Sequence, residues 1–88
     1  MYEKGKDLKE DLANLAHDQW SNWMKYMFSK SVENQDGSIT IPKELVERWT
    51  RQMNTDYTDL NESEQDSDRN EASKFLEVFR FHKEKNLV

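Results

Sequence analysis

The stretch LKEDLANLAHDQWSNWMKYMF, residues 8–28, decides the fold because its large apolar side chains recur at steps of three and four. At about 100° per residue, that spacing places them on one broad side of a helix. The helix is predicted over about residues 7–29. Gln19 projects into the same side and needs a hydrogen-bonding partner if it is buried. The apolar positions are Leu8, Leu12, Leu15, Ala16, Trp20, Trp23, Met24 and Met27.

Three bulky residues of this stretch, Trp20, Trp23 and Met27, project inward and are predicted to belong to the core. His17 lies at the edge of the apolar side, close to Trp20 in projection. An imidazole in that position can be a structural group tied to a carboxylate or carbonyl, or one wall of a ligand pocket. The pattern favours the structural role, and the pocket role stays open.

A second helix is predicted over about residues 42–54. Before it, Asp36-Gly37 is a turn signal and residues 38–41 are short enough to be an extended segment. Pro42 suits the first turn of a helix, because its fixed φ and missing N–H cost nothing there. The apolar residues at helical spacing are Leu45, Val46, Trp49 and Met53.

The third helix is predicted over about residues 62–84, after the N-x-x-E capping pair Asn61 and Glu64. Its inner apolar stripe is Ala72, Phe75, Leu76 and Phe79, and a second apolar patch is Val78, Phe81, Leu87 and Val88. The predicted fold is all-α, a small bundle of three main helices in a single domain over residues 1–88. The first and third helices should pack antiparallel or steeply crossed, with the second closing one side.

Asp68 projects onto the inner stripe of the third helix, where a carboxylate is costly unless it is paired. It is therefore expected to reach a donor on another element. The candidate donors to Asp68 are His17, the indoles of Trp20 and Trp49, the Tyr57 hydroxyl and Arg48. The Asp68 carboxylate would then either form a buried polar contact that fixes the packing of the helices, or act as an orienting group in a pocket.

The segment RWTRQM, residues 48–53, places Arg48 and Arg51 on either side of Trp49. Two guanidiniums beside an indole can hold a phosphate and stack a base. Alternatively Trp49 is core and the arginines pair with Glu44 and Glu47 along the helix, which is the favoured interpretation.

Composition narrows the functional classes. The net charge of −5 disfavours binding to long nucleic acid, and the absence of cysteine excludes disulfides and thiolate metal sites. With His17 and His82 as the only histidines, a metal site is not expected. No signal peptide, membrane span, nucleophile motif or phosphate loop is recognisable. We therefore expect a cytoplasmic, non-enzymatic protein without a cofactor.

Two motifs in order resemble the RyR domain, the repeat named for ryanodine receptors. The first is LANLAHDQW, residues 12–20, with its His-x-x-Trp, and the second is YTDLNESEQDSDRNEA, residues 57–72. The resemblance covers roughly residues 8–80 and looks like the compact stand-alone form of bacteria and their phages. It implies a role in sensing or holding nucleotide-derived signals. The positions that it highlights are His17, Trp20, Tyr57, Leu60, Asp68 and Arg69.

The first functional hypothesis is a small-ligand-binding module, phage-encoded and directed against host defence, that binds or sequesters a nucleotide-derived signal. The alternative is a protein–protein interaction module that acts on a host protein without a small ligand. In either case the small core and the second apolar patch favour a homodimer. The candidate ligand-binding residues are His17, Trp20, Arg48, Trp49, Arg51, Tyr57, Asp68 and Arg69.

Overall fold

The computed structural model of the chain describes residues 7–86 and confirms the helix-rich fold with three main helices. The first helix begins and ends one residue later than predicted, and the third ends two residues later. Leu87 and Val88, two members of the second apolar patch, lie outside the described residues. In chain order the elements are α1 (Leu8–Lys30), β1 (Val32–Glu33), β2 (Ile39–Thr40), α2 (Lys43–Met53), a 3-10 turn (Tyr57–Asp59) and α3 (Glu62–Asn86).

Local sequence signals set the starts of the helices. The Asp7 side chain caps α1 by accepting a hydrogen bond of 3.0 Å from the Lys9 backbone N–H. The Asn61 side chain accepts one of 2.9 Å from the Glu64 N–H, which confirms the predicted capping residue of α3. Pro42 directly precedes α2, as its fixed φ allows. Because these signals act within a few residues, the helix bounds follow closely from the sequence.

A tight hairpin connects α1 to α2. Val32 of β1 pairs with Thr40 of β2 in antiparallel register. At the turn Gly37 adopts a φ of +87°, a region that side chains with a Cβ rarely adopt. The Ser38 hydroxyl and backbone N–H both donate to the Asp36 carboxylate and lower its pKa. The predicted turn and the extended segment after it are therefore confirmed, and the connection is short and well defined.

Gly37→Ala is expected to weaken this hairpin by about 1–2 kcal/mol, the cost of a left-handed conformation for an L-residue. A methyl group at this position would meet no atom within 4 Å, so the cost is conformational and not steric. Gly37→Asn should cost less, because asparagine tolerates positive φ. Amide exchange of Asn34, whose N–H donates to the Ser38 carbonyl at 2.8 Å, measures the effect. Equal protection in all three proteins would contradict it.

α1 and α3 pack antiparallel. The carboxylate of Asp11 near the start of α1 lies 2.5 Å from His82 Nε2 near the end of α3. In the middle of α1, the Gln19 amide donates to the Glu71 carbonyl at 3.3 Å. Residue numbers therefore rise along one helix as they fall along the other. Gln19 also has the partner that its position in the apolar side requires.

α2 contacts this pair near the C-terminal end of α1. The Trp49 indole lies edge-on to Trp23 with 5.2 Å between ring centroids, and Arg48 donates to the Tyr26 hydroxyl at 3.2 Å. Arg51 forms an ion pair with Glu64 in the first turn of α3. The second helix therefore closes one end of the pair and not its full length, since it has 11 residues against 23 in α1.

The predicted core is wrong. Within residues 7–85 no hydrophobic side chain is buried, and Trp20 is 59% exposed. The reason is that α3 packs against a mainly polar side of α1, which includes Trp23 but not Trp20. On α3, Val78 and Phe81 of the second patch line the groove next to α1, whereas Leu76 and Phe79 of the predicted inner stripe are exposed.

The molecule is consequently flat and extended. Its radius of gyration is 17.2 Å, and its extents are 54 × 36 × 16 Å. A compact domain of this length would have a radius of gyration of about 12 Å. Across residues 7–86 no helix combines the length and the apolar character needed to cross a membrane.

Candidate functional site

The side of α1 that contacts α3 is defined by the residues that line the two interhelical grooves. In a helical projection at 100° per residue, Leu12, Ala16 and Trp20 lie between about a fifth and two fifths of a turn away from the centre of that side. Leu12, Ala16 and Trp20 thus lie beside the contact with α3, whereas Leu15 and Trp23 line it. The lining residues of α1 are Asp11, Asn14, Leu15, Asp18, Gln19, Asn22, Trp23 and Tyr26.

The same offset occurs on α3. Its contact side is formed by residues such as Glu71, Lys74 and Val78. Phe75 and Phe79 are rotated from that side by about a fifth to a third of a turn, in the same sense along the chain as on α1. Because the two helices run in opposite directions and face each other, equal rotations bring both stripes to the same side of the pair.

The register of the pair brings these residues level with one another. The contacts of Asp11 with His82 and of Gln19 with Glu71 fix that register. It places Leu12 level with Phe79, Ala16 level with Phe75 and Trp20 level with Ala72. We call this surface the apolar face and define it as Leu12, Ala16, Trp20, Ala72, Phe75, Leu76 and Phe79.

The apolar face is open to solvent in the single chain. Trp20 and Leu76 are each 59% exposed and Phe79 is 48% exposed, while Leu12 and Phe75 are half-buried. Between the levels of Leu12 and Trp20, helical projection places no charged side chain on it. Lys9 and Lys83 project onto one end and Asp68 onto the other. The face is therefore an uninterrupted apolar surface with ends of opposite charge.

His17 lies at the edge of this face and not against Asp68. Its ring stacks on Trp20 with 6.0 Å between centroids, and its Nε2 lies 3.3 Å from the Ser21 hydroxyl. The expected tie between a histidine and a carboxylate exists elsewhere, between His82 and Asp11. The signal that could have found it is the place of Asp11 on α1, three residues after Leu8 and four before Leu15, which puts it on the same side of the helix as both.

Asp68 is exposed and lines a groove between α1 and α3 together with Trp23 and Tyr26. The groove has a volume of about 410 Å³. It contains no basic side chain and two carboxylates, those of Asp68 and Glu71. Its remaining lining residues are Gln19, Asn22 and Ser67. The groove therefore suits a neutral or cationic group better than a phosphate.

The predicted arginines are distributed among different partners. Arg48 reaches Tyr26, whereas Arg51 forms a two-pronged contact with Glu64 and not with Glu44 or Glu47. The reason is that the start of α3 lies against the end of α2, which brings Glu64 within reach of Arg51 although the two are 13 residues apart in the chain. The Glu64 hydrogen bond raises the pKa of Arg51, and Arg51 in turn lowers the pKa of Glu64.

Arg69 belongs to a third cluster, at the start of α3. Its guanidinium donates to Asp66 at 2.8 Å and to Glu62 at 3.0 Å, and these carboxylates raise its pKa. Tyr57 lies in the 3-10 turn, where its carbonyl accepts a hydrogen bond from the Gln65 amide at 2.9 Å. The eight predicted ligand-binding residues therefore do not converge on one pocket.

Glu64→Gln tests the role of the ion pair in holding α2. A carboxyl whose pKa is lower in the folded chain adds stability above its ordinary pKa of 4.5 and loses it as the pH falls through the folded pKa. We therefore expect the wild-type packing of Trp49 against Trp23 to loosen on acidification, seen as loss of near-UV circular dichroism. In Glu64→Gln the packing should be weaker at neutral pH and less dependent on pH. Glu47→Gln, which changes an exposed pair with Lys43, is the control.

No group of three or more potential metal-ligating side chains occurs within the described part of the chain. Comparison with models of known protein families, with curated proteins and with solved structures found no match to this chain. The resemblance to the RyR domain therefore stays a prediction from two sequence motifs.

Proposed function

We propose that the chain is a non-enzymatic, cytoplasmic protein-interaction module that binds another protein chain through the apolar face. The observation that carries the proposal is the position of this face. Two stripes, on α1 and α3, lie side by side, point the same way and have no cover from the described residues at the levels from Leu12 to Trp20. A helix layer with one apolar side is stable when a second layer covers it.

The energetics agree with a protein partner. Covering a large apolar side chain contributes about 1.5–3 kcal/mol, and the face presents Trp20, Leu76 and Phe79 at half exposure or close to it. Exposed apolar surfaces of this kind, bordered by charged residues, are typical of protein interfaces. A small molecule would cover only part of such a surface, whereas ligand sites are usually concave.

The nucleotide hypothesis has weaker geometric support. Arg51 and Arg69 are each bound to carboxylates, so a phosphate would have to displace an ion pair that already exists. The groove beside Asp68 is acidic and would repel an anion. We expect a panel of cyclic and linear nucleotides to leave the thermal unfolding temperature unchanged. Stabilisation by one nucleotide that is lost in Arg51→Ala would instead favour the ligand-binding function.

Photo-crosslinking in cells that express the chain tests the protein-interaction proposal. A benzophenone amino acid replaces Trp20 on the apolar face, and in the control it replaces Lys25, which is exposed and projects away from it. Protein adducts are expected on irradiation of the first variant and not of the second. Equal labelling of both positions, or no protein adduct at position 20, would overturn the proposal.

A further inference from the structure

We propose that the partner of the apolar face is a second copy of this chain, and that the two α1–α3 pairs pack face to face as a four-helix bundle. The inference rests on the proposed function, because it assigns an occupant to the same face. Three features favour a second copy: the surface area of the chain, the length of the uncovered helices and the charges at the ends of the face.

The surface area matches what a stable dimer needs. The chain has an accessible surface of 7321 Å² for a mass of 10.6 kDa. A compact monomer of that mass exposes about 5,500 Å², which leaves an excess of roughly 1,800 Å². Permanent dimers bury at least about 1,000 Å² on each partner. An excess of this size is large enough for one extensive interface on each chain.

The chain does not cover the face with its own second helix. The 23 residues of α1 span about 34 Å. The ring contacts of α2 with α1 lie at Trp23 and Tyr26, and its ion pair with α3 lies at Glu64. These residues are all at one end of the pair, beyond the level of Trp20. Most of the length of both stripes is left for a second layer.

A second copy is complementary to this face in shape and in charge. Two antiparallel helices stacked on two others form the four-helix bundle, a stable arrangement for apolar stripes of this length. A two-fold axis perpendicular to the helices brings the end with Lys9 and Lys83 opposite the partner chain's end with Asp68. It also places the two short α2 helices at opposite ends of the bundle. The centre of this arrangement lies near the level of Ala16.

The first part of the test is the molar mass in solution. The molar mass is measured by sedimentation equilibrium at protein concentrations from about 1 to about 200 µM. Over the same range the thermal unfolding temperature should rise with concentration, because folding of the dimer depends on association. The expected result is twice the chain mass of 10.6 kDa at the higher concentrations. A single-chain mass throughout, with helical circular dichroism, would overturn the inference.

The second part locates the interface by disulfide formation, which the cysteine-free sequence makes clean. Ala16→Cys should cross-link to its partner under mild oxidation, because neighbouring thiols in a dimer have an effective concentration in the millimolar range. At micromolar protein it should react roughly a thousandfold faster than Asn70→Cys, which projects away from the face. A dimer that cross-links at Asn70→Cys and not at Ala16→Cys would overturn the inference.

The mass of the photo-adduct at position 20 separates the two proposals. An adduct of two copies of this chain supports both. An adduct with a different protein, together with a single-chain mass in solution, supports the protein-interaction function and overturns the second copy. The absence of any protein adduct overturns both.

Discussion

Phe79→Ala is expected to weaken the proposed dimer. Phe79 is 48% exposed in the single chain, so a partner that covers it contributes roughly half of the about 1.5–3 kcal/mol for complete burial, and symmetry counts that loss twice. The dimer should therefore lose about 1.5–3 kcal/mol, which raises the dissociation constant by roughly tenfold to a hundredfold. Sedimentation equilibrium of the variant measures the change.

The chain offers a matched control for this substitution. Phe81 is 45% exposed and Phe79 is 48% exposed, and they lie two residues apart on the same helix. Phe81 lines the groove next to α1 and does not belong to the apolar face. Phe81→Ala should lower the stability of the helix pair but leave the interface surface intact. If Phe81→Ala dissociates the dimer as strongly as Phe79→Ala does, the apolar face is not the interface.

Asp11→Ala is expected to lower the free energy of unfolding by about 1.5–3 kcal/mol, the range for a hydrogen bond to a charged group. The Asp11 side chain is 5% exposed, and its carboxylate lies 2.5 Å from His82 Nε2, a residue 71 positions away. The substitution leaves the half-buried imidazole without this partner. Urea denaturation at a fixed protein concentration measures the loss.

Glu10→Ala is the control, because Glu10 has the same charge and also lies in the first turn of α1 but is exposed. It reports the contribution of a negative charge near the helix N-terminus, which is about 0.3–1 kcal/mol. A double-mutant cycle of Asp11→Ala with His82→Ala then isolates the energy of the pair. A coupling energy near zero, or equal effects of Asp11→Ala and Glu10→Ala, would show that the contact contributes little.

The bounds of the helices could be predicted because the signals that set them are local. Asn61 caps α3 through a bond to a residue three positions away, and Gly37 permits its turn through its own backbone. Pro42 precedes α2 for a similar reason. None of these contacts depends on how the helices pack, so a single sequence contains the information.

The neighbours of each helix face could not be predicted in the same way. Periodicity identified the stripe that contains Trp20 but did not tell whether another element of the same chain would cover it. In the structure, hydrogen bonds such as that from Gln19 to the Glu71 carbonyl hold α3 against the polar side. An apolar stripe that binds a second chain and one that packs into the core have the same helical spacing of apolar residues in a sequence.

The partners of the candidate site residues could not be predicted from the sequence either. His17 was expected to be tied to a carboxylate or carbonyl, with Asp68 as one candidate, but it lies against Ser21, and the histidine–carboxylate pair is His82 with Asp11. Arg51 was expected to pair within its own helix, and it reaches Glu64 on α3. Contacts between residues far apart in the chain depend on the packing of helices, which periodicity alone does not determine.

The absence of any buried hydrophobic side chain among residues 7–85 has a consequence for the lifetime of the protein. If the proposed second copy completes the core, the chain is folded in proportion to its abundance. Below the dissociation constant, newly made chains would present Trp20 and Phe79 to chaperones and proteases and would be removed. Its cellular level would then have a threshold, with little protein surviving below it and a long-lived pool above it.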